Sequence, residues 1–258
     1  MGVWLNRPDA QSGKSGAVDM SGATYPSLRA RTVVVTGGGS GIGAALVDDF
    51  VRQGARVTYL DLADERGLAD ATFIRCDLTD QNALTAAFAQ IGPVDVLVNN
   101  AANDDRHDVA EVTPDYFDNR IAVNLKHHFF CAQAVAPAMR ARGKGVIINM
   151  GSISWRLALQ GIAIYETAKA GIEGLTRALA RDWGAEGIRV VCVVPGGVVT
   201  PRQMKLWHDP EGEAALLEKQ CIKARIQPPH IAAMVSFLAS DDAAMCTAHS
   251  YLVDAGWS

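Results

Sequence analysis

The chain has 258 residues, enough to bury a core without disulfide staples and of a length that suits a single α/β domain. Hydrophobic residues make up 49% and charged residues 20%, which excludes a disordered or fibrous chain. With 24 Lys and Arg against 28 Asp and Glu, the formal charge is −4, so the basic excess of a general nucleic-acid binder is missing. Cys76, Cys131, Cys192, Cys221 and Cys246 are odd in number and widely spaced, without a C-x-x-C pair. That argues against a disulfide framework and against a metal site, and it fits a reducing cytoplasm. No apolar run approaches the ~20 residues a membrane helix needs, Val190–Val194 being among the longest. Residues 1–27 are rich in Gly, Ser and Ala and read as a flexible arm, with Tyr25-Pro26-Ser27-Leu28 docking where the arm meets a domain at 28–258.

From residue 31, short β-branched runs alternate with longer Ala- and Leu-rich stretches of helical period. Strands are predicted at 32–36, 56–60, 72–75, 94–98, 146–149, 189–194 and 250–253. Helices are predicted at 42–53, after Asp80 to residue 90, from Pro114 to 142 with Thr113 as N-cap, at 164–186 and at 229–239. Residues 201–227 hold Pro201 and Pro210 and show little period. Near-continuous apolar strands alternating with helices predict one doubly wound domain, with a parallel sheet of about seven strands covered on both faces.

Thr36-Gly37-Gly38-Gly39-Ser40-Gly41-Ile42-Gly43 leaves the first strand and opens the first helix. Glycines permit the tight turn and close backbone approach, and the helix N-terminus offers free N–H groups to a pyrophosphate. A Gly-rich string alone is a weak signal. Strand before, helix after and an acid downstream strengthen it. Asp61, at the end of the second strand, is that acid. Its carboxylate suits both ribose hydroxyls of NAD and would repel a 2′-phosphate. Arg66 is the nearby cation that counts against this reading.

Tyr165 and Lys169 stand four residues apart, on one face of a predicted helix. A neighbouring ammonium is expected to lower the phenol pKa, so that the pair acts as a general base on an alcohol. Ser152 follows the fifth strand, Asn99 and Asn100 follow the fourth, and Asn124 lies on the helix between them. All point to the C-terminal edge of the sheet, where open α/β folds bind ligands.

These motifs together resemble the short-chain dehydrogenase/reductase family of Rossmann-type enzymes, over about residues 28–258. TGGGSGIG is similar to its T-G-x-x-x-G-x-G, and Asn99-Asn100-Ala101-Ala102 to its N-N-A-G, with Ala102 in place of glycine. Asp77-Leu78 is similar to its adenine-side pair, and Pro195-Gly196 with Thr200 to its P-G-x-x-x-T. The resemblance implies Asn124, Ser152, Tyr165 and Lys169 as catalytic residues. In it Tyr165 takes the hydroxyl proton, Ser152 holds the reacting oxygen, Lys169 also binds the nicotinamide ribose, and Asn124 positions a relay water. It further implies NAD held by Gly37, Ser40, Gly41, Ile42, Gly43, Asp61, Asp77, Leu78, Asn99, Ala101, Tyr165, Lys169, Pro195, Gly196, Val198 and Thr200, and a homotetramer.

NNAANDDRH, INMGSISW, IYETAKAGIEG and SDDAAMCTAHSYLVDAGW carry a closer similarity to sugar dehydrogenases of that family. They imply oxidation of an aldopentose such as D-xylose at C1 to the lactone, with Asn103, Ser152, Trp155, Tyr165 and Arg202 at the sugar. L-Arabinose and L-fucose stay open as substrates of similar enzymes, and a 2-keto-3-deoxy sugar acid stays open because Arg106, His107, Arg156 and Arg202 suit a carboxylate as well. No metal, nucleic acid or membrane partner is expected, and a non-catalytic dinucleotide-binding protein is the distant alternative.

Overall fold

A computed structural model describes residues 22–63, 67–207 and 210–258. Arg66 and His208, the N-terminal arm as far as residue 21, and the Trp207 side chain lie outside that description.

Seven strands form one parallel sheet: β1 (Thr32–Thr36), β2 (Arg56–Asp61), β3 (Ala71–Arg75), β4 (Val96–Asn99), β5 (Gly145–Met150), β6 (Ile188–Pro195) and β7 (Ser250–Val253). Their order is β3-β2-β1-β4-β5-β6-β7. The winding therefore reverses between β1 and β4, which pair from Val33↔Val96 to Val35↔Val98. A crevice opens at such a switch point, outside the carboxyl ends of the strands. The strands are apolar along their length because both faces are covered: β5 is buried throughout and β6 nearly so.

The helices are α1 (Gly41–Arg52), α2 (Gln81–Ile91), α3 (Pro114–Ile121), α4 (His127–Arg142), α5 (Ser154–Leu157), α6 (Ala163–Trp183), α7 (Pro201–Trp207), α8 (Pro210–Lys219) and α9 (Pro228–Ala239). On one face Leu46, Val47 and Phe50 of α1 and Ile231, Val235 and Leu238 of α9 pack on Val33, Val35 and Val57. On the other, α2, α4 and α6 bring Leu84, Phe88, Val135, Met139 and Leu179 against Val34, Leu97 and Ile147. Each fully buried Val or Leu side chain contributes about 1.5–3 kcal/mol, so these two layers fix the sheet beneath the crevice. Three of the cysteines are buried, and all five are free thiols.

The expected caps form. The Asp80 carboxylate accepts from the N–H groups of Asn82 and Ala83, and the Thr113 hydroxyl from that of Tyr116. Leu28 is buried, and the Tyr25 N–H donates to Gln53 Oε1 at 2.8 Å.

Two elements differ from expectation. The single helix predicted from Pro114 to residue 142 is interrupted by a π-helical segment at Ala122–Lys126, which contains Asn124. The weakly periodic stretch after residue 201 forms α7 and α8. Pro201 and Pro210 begin these helices rather than break them, because the first turn needs no proline N–H.

Candidate active site

Backbone geometry shapes the first part of the crevice. Gly37 has φ +66°, and a Cβ there would stand 2.8 Å from Ala101 Cα. A Cβ on Gly43 would sit 1.8 Å from the Gly37 carbonyl oxygen. The β1–α1 loop therefore tolerates no side chain at either place. Asn100 ties the loop across the switch point, donating from Nδ2 to the carbonyls of Thr36 and Gly37 at 3.0 Å each. The Thr36 hydroxyl accepts in turn from the N–H groups of Asn100 and Ala101. Ser40, at the N-cap of α1, makes no side-chain cap bond, so the first N–H groups of α1 remain available to an anion. Thr200 faces this loop, within 3.3 Å of where a Gly41 Cβ would be.

Asp61 closes the far side of the loop. Its Oδ2 accepts from Gly39 N–H at 2.8 Å and its Oδ1 from Leu62 N–H at 2.7 Å. One lone pair on each oxygen is left for a ribose hydroxyl. Asp77, at the end of β3, turns its carboxylate to the N–H and hydroxyl of Thr79, and Leu78 packs beside the core under α2. Ala102 does not have a positive φ, so the departure from glycine there carries no strain. A dinucleotide fits this arrangement: a glycine cradle, open helix N–H groups and a carboxylate at the ribose edge.

Past the loop, a cavity of about 420 Å³ is lined by Ile42, Ser152, Tyr165, Lys169, Gly196 and Val198, among others. Ser152 and Tyr165 both line this cavity, and the Ser152 hydroxyl accepts from Ser154 N–H at 3.1 Å. Lys169 is buried, donates from Nζ to the Met150 carbonyl at 2.8 Å, and lies 5.4 Å from the centre of the Tyr165 ring. Burial pushes the Lys169 ammonium down to about 8, partly opposed by Cys192 and Asp104. Burial also pushes the Tyr165 phenol up, the Asp104 carboxylate adds to that, and the nearby Ser152 hydroxyl opposes it. This is opposite to the lowering expected from the Tyr–Lys spacing. Spacing shows the neighbour, but not the desolvation that both groups suffer.

Several expected site residues point elsewhere. Asn99 is fully buried, and its Nδ2 donates to Asn149 Oδ1 and to the His128 carbonyl, under the crevice rather than in it. The Asn124 amide is committed to the backbone: Oδ1 accepts from Asn103 N–H at 2.8 Å, and Nδ2 donates to the carbonyls of Asn103 and Arg120. Its side chain thus clamps the loop after β4. Trp155 donates from Nε1 to Glu173 at 2.9 Å and does not line the cavity. Asn103 and Arg202 also stand outside the lining. Arg202 Nε donates to Asp104 at 2.9 Å, and its Nη2 donates to both Asp105 and Asn103. All these side chains found polar partners, which sequence position could not reveal.

The cavity has lining residues that motif reading did not single out: Leu216 from α8, Arg225, and Trp257. They come from segments far apart in the chain and carry no local pattern. Asp104 also lines it, held from α7 by Arg202 and by Gln203, whose Nε2 donates at 2.9 Å. Among the described residues there is no cluster of metal-ligating side chains and no helix long and apolar enough to cross a membrane.

A parallel sheet with a glycine cradle at its switch point, beside a serine, tyrosine and lysine on one cavity wall, defines a nicotinamide-dependent oxidoreductase. The chain belongs to the short-chain dehydrogenase/reductase family. Residues 37–258 match a model of that family described as enoyl-(acyl carrier protein) reductase. The chain is 58% identical to D-xylose 1-dehydrogenase of Caulobacter vibrioides, over 92% of this chain and all of that one. It is 46% identical to a probable galactose dehydrogenase of Rhizobium meliloti, over 90% of this chain and 96% of the other. Among solved structures, a putative NAD(P)-dependent gluconate 5-dehydrogenase of Beutenbergia cavernae with bound NADP superposes with a TM-score of 0.84. It shares 32% identity, over 90% of this chain and 98% of that one.

Proposed function

We propose that this protein oxidises the anomeric hydroxyl of a neutral aldose, an aldopentose such as D-xylose, to the lactone with NAD as acceptor. The likeness to two sugar dehydrogenases supports the reaction class. The Asp104 carboxylate on the cavity wall supports the neutral substrate, and this observation carries the reading. Of the cations that suit a carboxylate, Arg202 is paired with Asp104 and Asp105 and Arg156 with Glu173; on the wall itself Arg225 is paired with Glu213, and Arg106 is a further cation. Asp104 puts a negative charge on the wall near Tyr165. An anionic sugar acid would meet that charge, whereas a hydroxyl finds an acceptor.

In this reading Ser152 orients the reacting oxygen, and Tyr165 takes its proton as the C1–H pair leaves as hydride. Lys169 supplies positive charge under the phenol. NAD, when bound, would supply the hydride acceptor, and positioning and electrostatics are the protein's share. Asp61 supports NAD over NADP, because a 2′-phosphate would stand against its carboxylate. The family resemblance supports a homotetramer, for which a mass measurement in solution is the check.

D-Xylose deuterated at C1 tests the chemistry. The account expects deuterium in the reduced cofactor and lactone as product. Reduced cofactor without deuterium would place oxidation at a secondary alcohol and overturn the assignment.

A further inference from the structure

The cavity wall opposite α7 is built by the segment after β7. Asp254 is 6% exposed, and its carboxylate is held by the chain around it. It gathers four donors: Gly256 N–H on Oδ1 at 2.9 Å, and on Oδ2 the N–H groups of Trp257 and Ser258 at 3.2 and 2.8 Å and the Ser258 hydroxyl at 2.9 Å. Burial alone would raise this carboxyl, but the donors of Ser258, Gly256 and Trp257 outweigh it and hold the group below the usual carboxylate range. The turn is further pinned by Ile222 N–H, which donates to the Ala255 carbonyl at 3.0 Å. Gly256 has φ +73° and lies against Cys221.

This clasp sets one side chain. Trp257 lines the cavity and packs on the cluster of Ile153, Leu157, Ile172 and Val194. Ile153 directly follows Ser152, so the indole sits beside the segment that carries the reacting-oxygen donor. Gly197 makes room for it: a Cβ there would stand 3.3 Å from Trp257 Cζ3 and 2.7 Å from Leu216 Cδ1. Trp257 is half-buried and contributes to the cavity lining. Asp104 and Gln203 supply polar atoms to the same cavity from other elements. A pyranose has this character, with hydroxyls at its rim and a C–H face that is apolar. A rigid aromatic plane covers such a face at low entropic cost.

We propose that Trp257 is a substrate-specificity residue whose indole receives the C–H face of the sugar ring, and that Asp254 is the positioning residue that sets it. The inference rests on the sugar-oxidising reading above.

Steady-state kinetics of Trp257→Phe, Trp257→Leu and Asp254→Asn test it, with Trp183→Phe, far from the crevice in the closing turn of α6, as control. Losing the aromatic plane should raise the sugar KM about tenfold in Trp257→Leu and only about two- to threefold in Trp257→Phe. The KM for NAD should stay within about twofold in both, because no indole contact to the dinucleotide is invoked. Asp254→Asn keeps one acceptor oxygen and should raise the sugar KM by an intermediate amount, again without moving the KM for NAD. A space-filling role would treat Phe and Leu alike, and a general loss of structure would move both KM values and the melting temperature together. Either result overturns the proposal, as does an unchanged sugar KM in Trp257→Leu. If the wild-type protein oxidises no sugar, the functional reading itself fails. If it does and the variants match it, only the role of Trp257 fails.

Discussion

The two ends of the crevice are built by different means. At the β1–α1 end, backbone does most of the shaping. Gly37 and Gly43 sit where a Cβ would strike Ala101 or the Gly37 carbonyl, and the Asn100 amide and Thr36 hydroxyl hold the loop through main-chain partners. At the far end, side chains do the shaping, and they come from four separate segments: Asp104, Gln203, Leu216 and Trp257. A binding surface made of backbone demands particular residue types at fixed spacing. One made of side chains demands only that the chain return to the same place. The first end can therefore stay constant across a family while the second changes its ligand.

The largest expected effect lies where the two ends meet. Tyr165→Phe removes the proposed proton acceptor and should lower kcat by about 10²–10⁴-fold, as loss of a general base does. Dinucleotide binding, read by fluorescence titration, should persist, because the glycine cradle and Asp61 are untouched. Full turnover in that variant would remove Tyr165 from the chemistry.

Next is the backbone-built end. Asp61→Ala should cost about tenfold or more in kcat/KM preference for NAD over NADP, with no change in which sugar is used. Its check is the ratio of the two cofactors' kcat/KM values. An unchanged ratio would mean that discrimination resides elsewhere.

At the side-chain-built end, Asp104→Asn should act through charge. Asp104 raises the Tyr165 phenol, so neutralising it lowers that pKa. Activity that needs the phenolate rises with pH through this value, so its rise should move to lower pH. The same variant should admit an anionic sugar acid better than the wild type. A pH profile of kcat/KM for aldose and sugar acid side by side reads both effects.

The smallest effect belongs to neither end. Asp80→Ala removes the cap of α2 and should cost about 0.5–2 kcal/mol of stability. Chemical denaturation measures the loss, and both KM values should stay as they were.

The same contrast decides how much was legible in the sequence. The strands were readable because a two-sided parallel sheet makes each one a compact apolar run, and Thr32–Thr36 and Ser250–Val253 have the predicted limits. The glycine loop and the gathering of Ser152, Tyr165 and Lys169 at one cavity were readable because the family's motifs put fixed residue types at fixed offsets. Asn99 and Trp155 misled, because a motif position tells where a residue starts and not which partner its side chain finds. Asn149 and Glu173 took those side chains away from the crevice. The direction of the Tyr165 shift was hidden for a related reason: burial is a property of the assembled fold. Trp257 had no local signal, since its place in the cavity depends on Asp254, Gly197 and α8 arriving together. The π-helical turn around Asn124 was invisible to periodicity because its flanks keep a helical pattern.

The central claim is that this crevice turns over a neutral aldose and rejects a charged relative. Initial rates of NADH formation by the purified protein, with D-xylose and a 2-keto-3-deoxy sugar acid compared at equal concentration, test it most directly. The account predicts strong turnover of the aldose and at most weak turnover of the acid. Turnover of the acid alone would contradict it, and would mean that the paired arginines release their partners to bind a carboxylate.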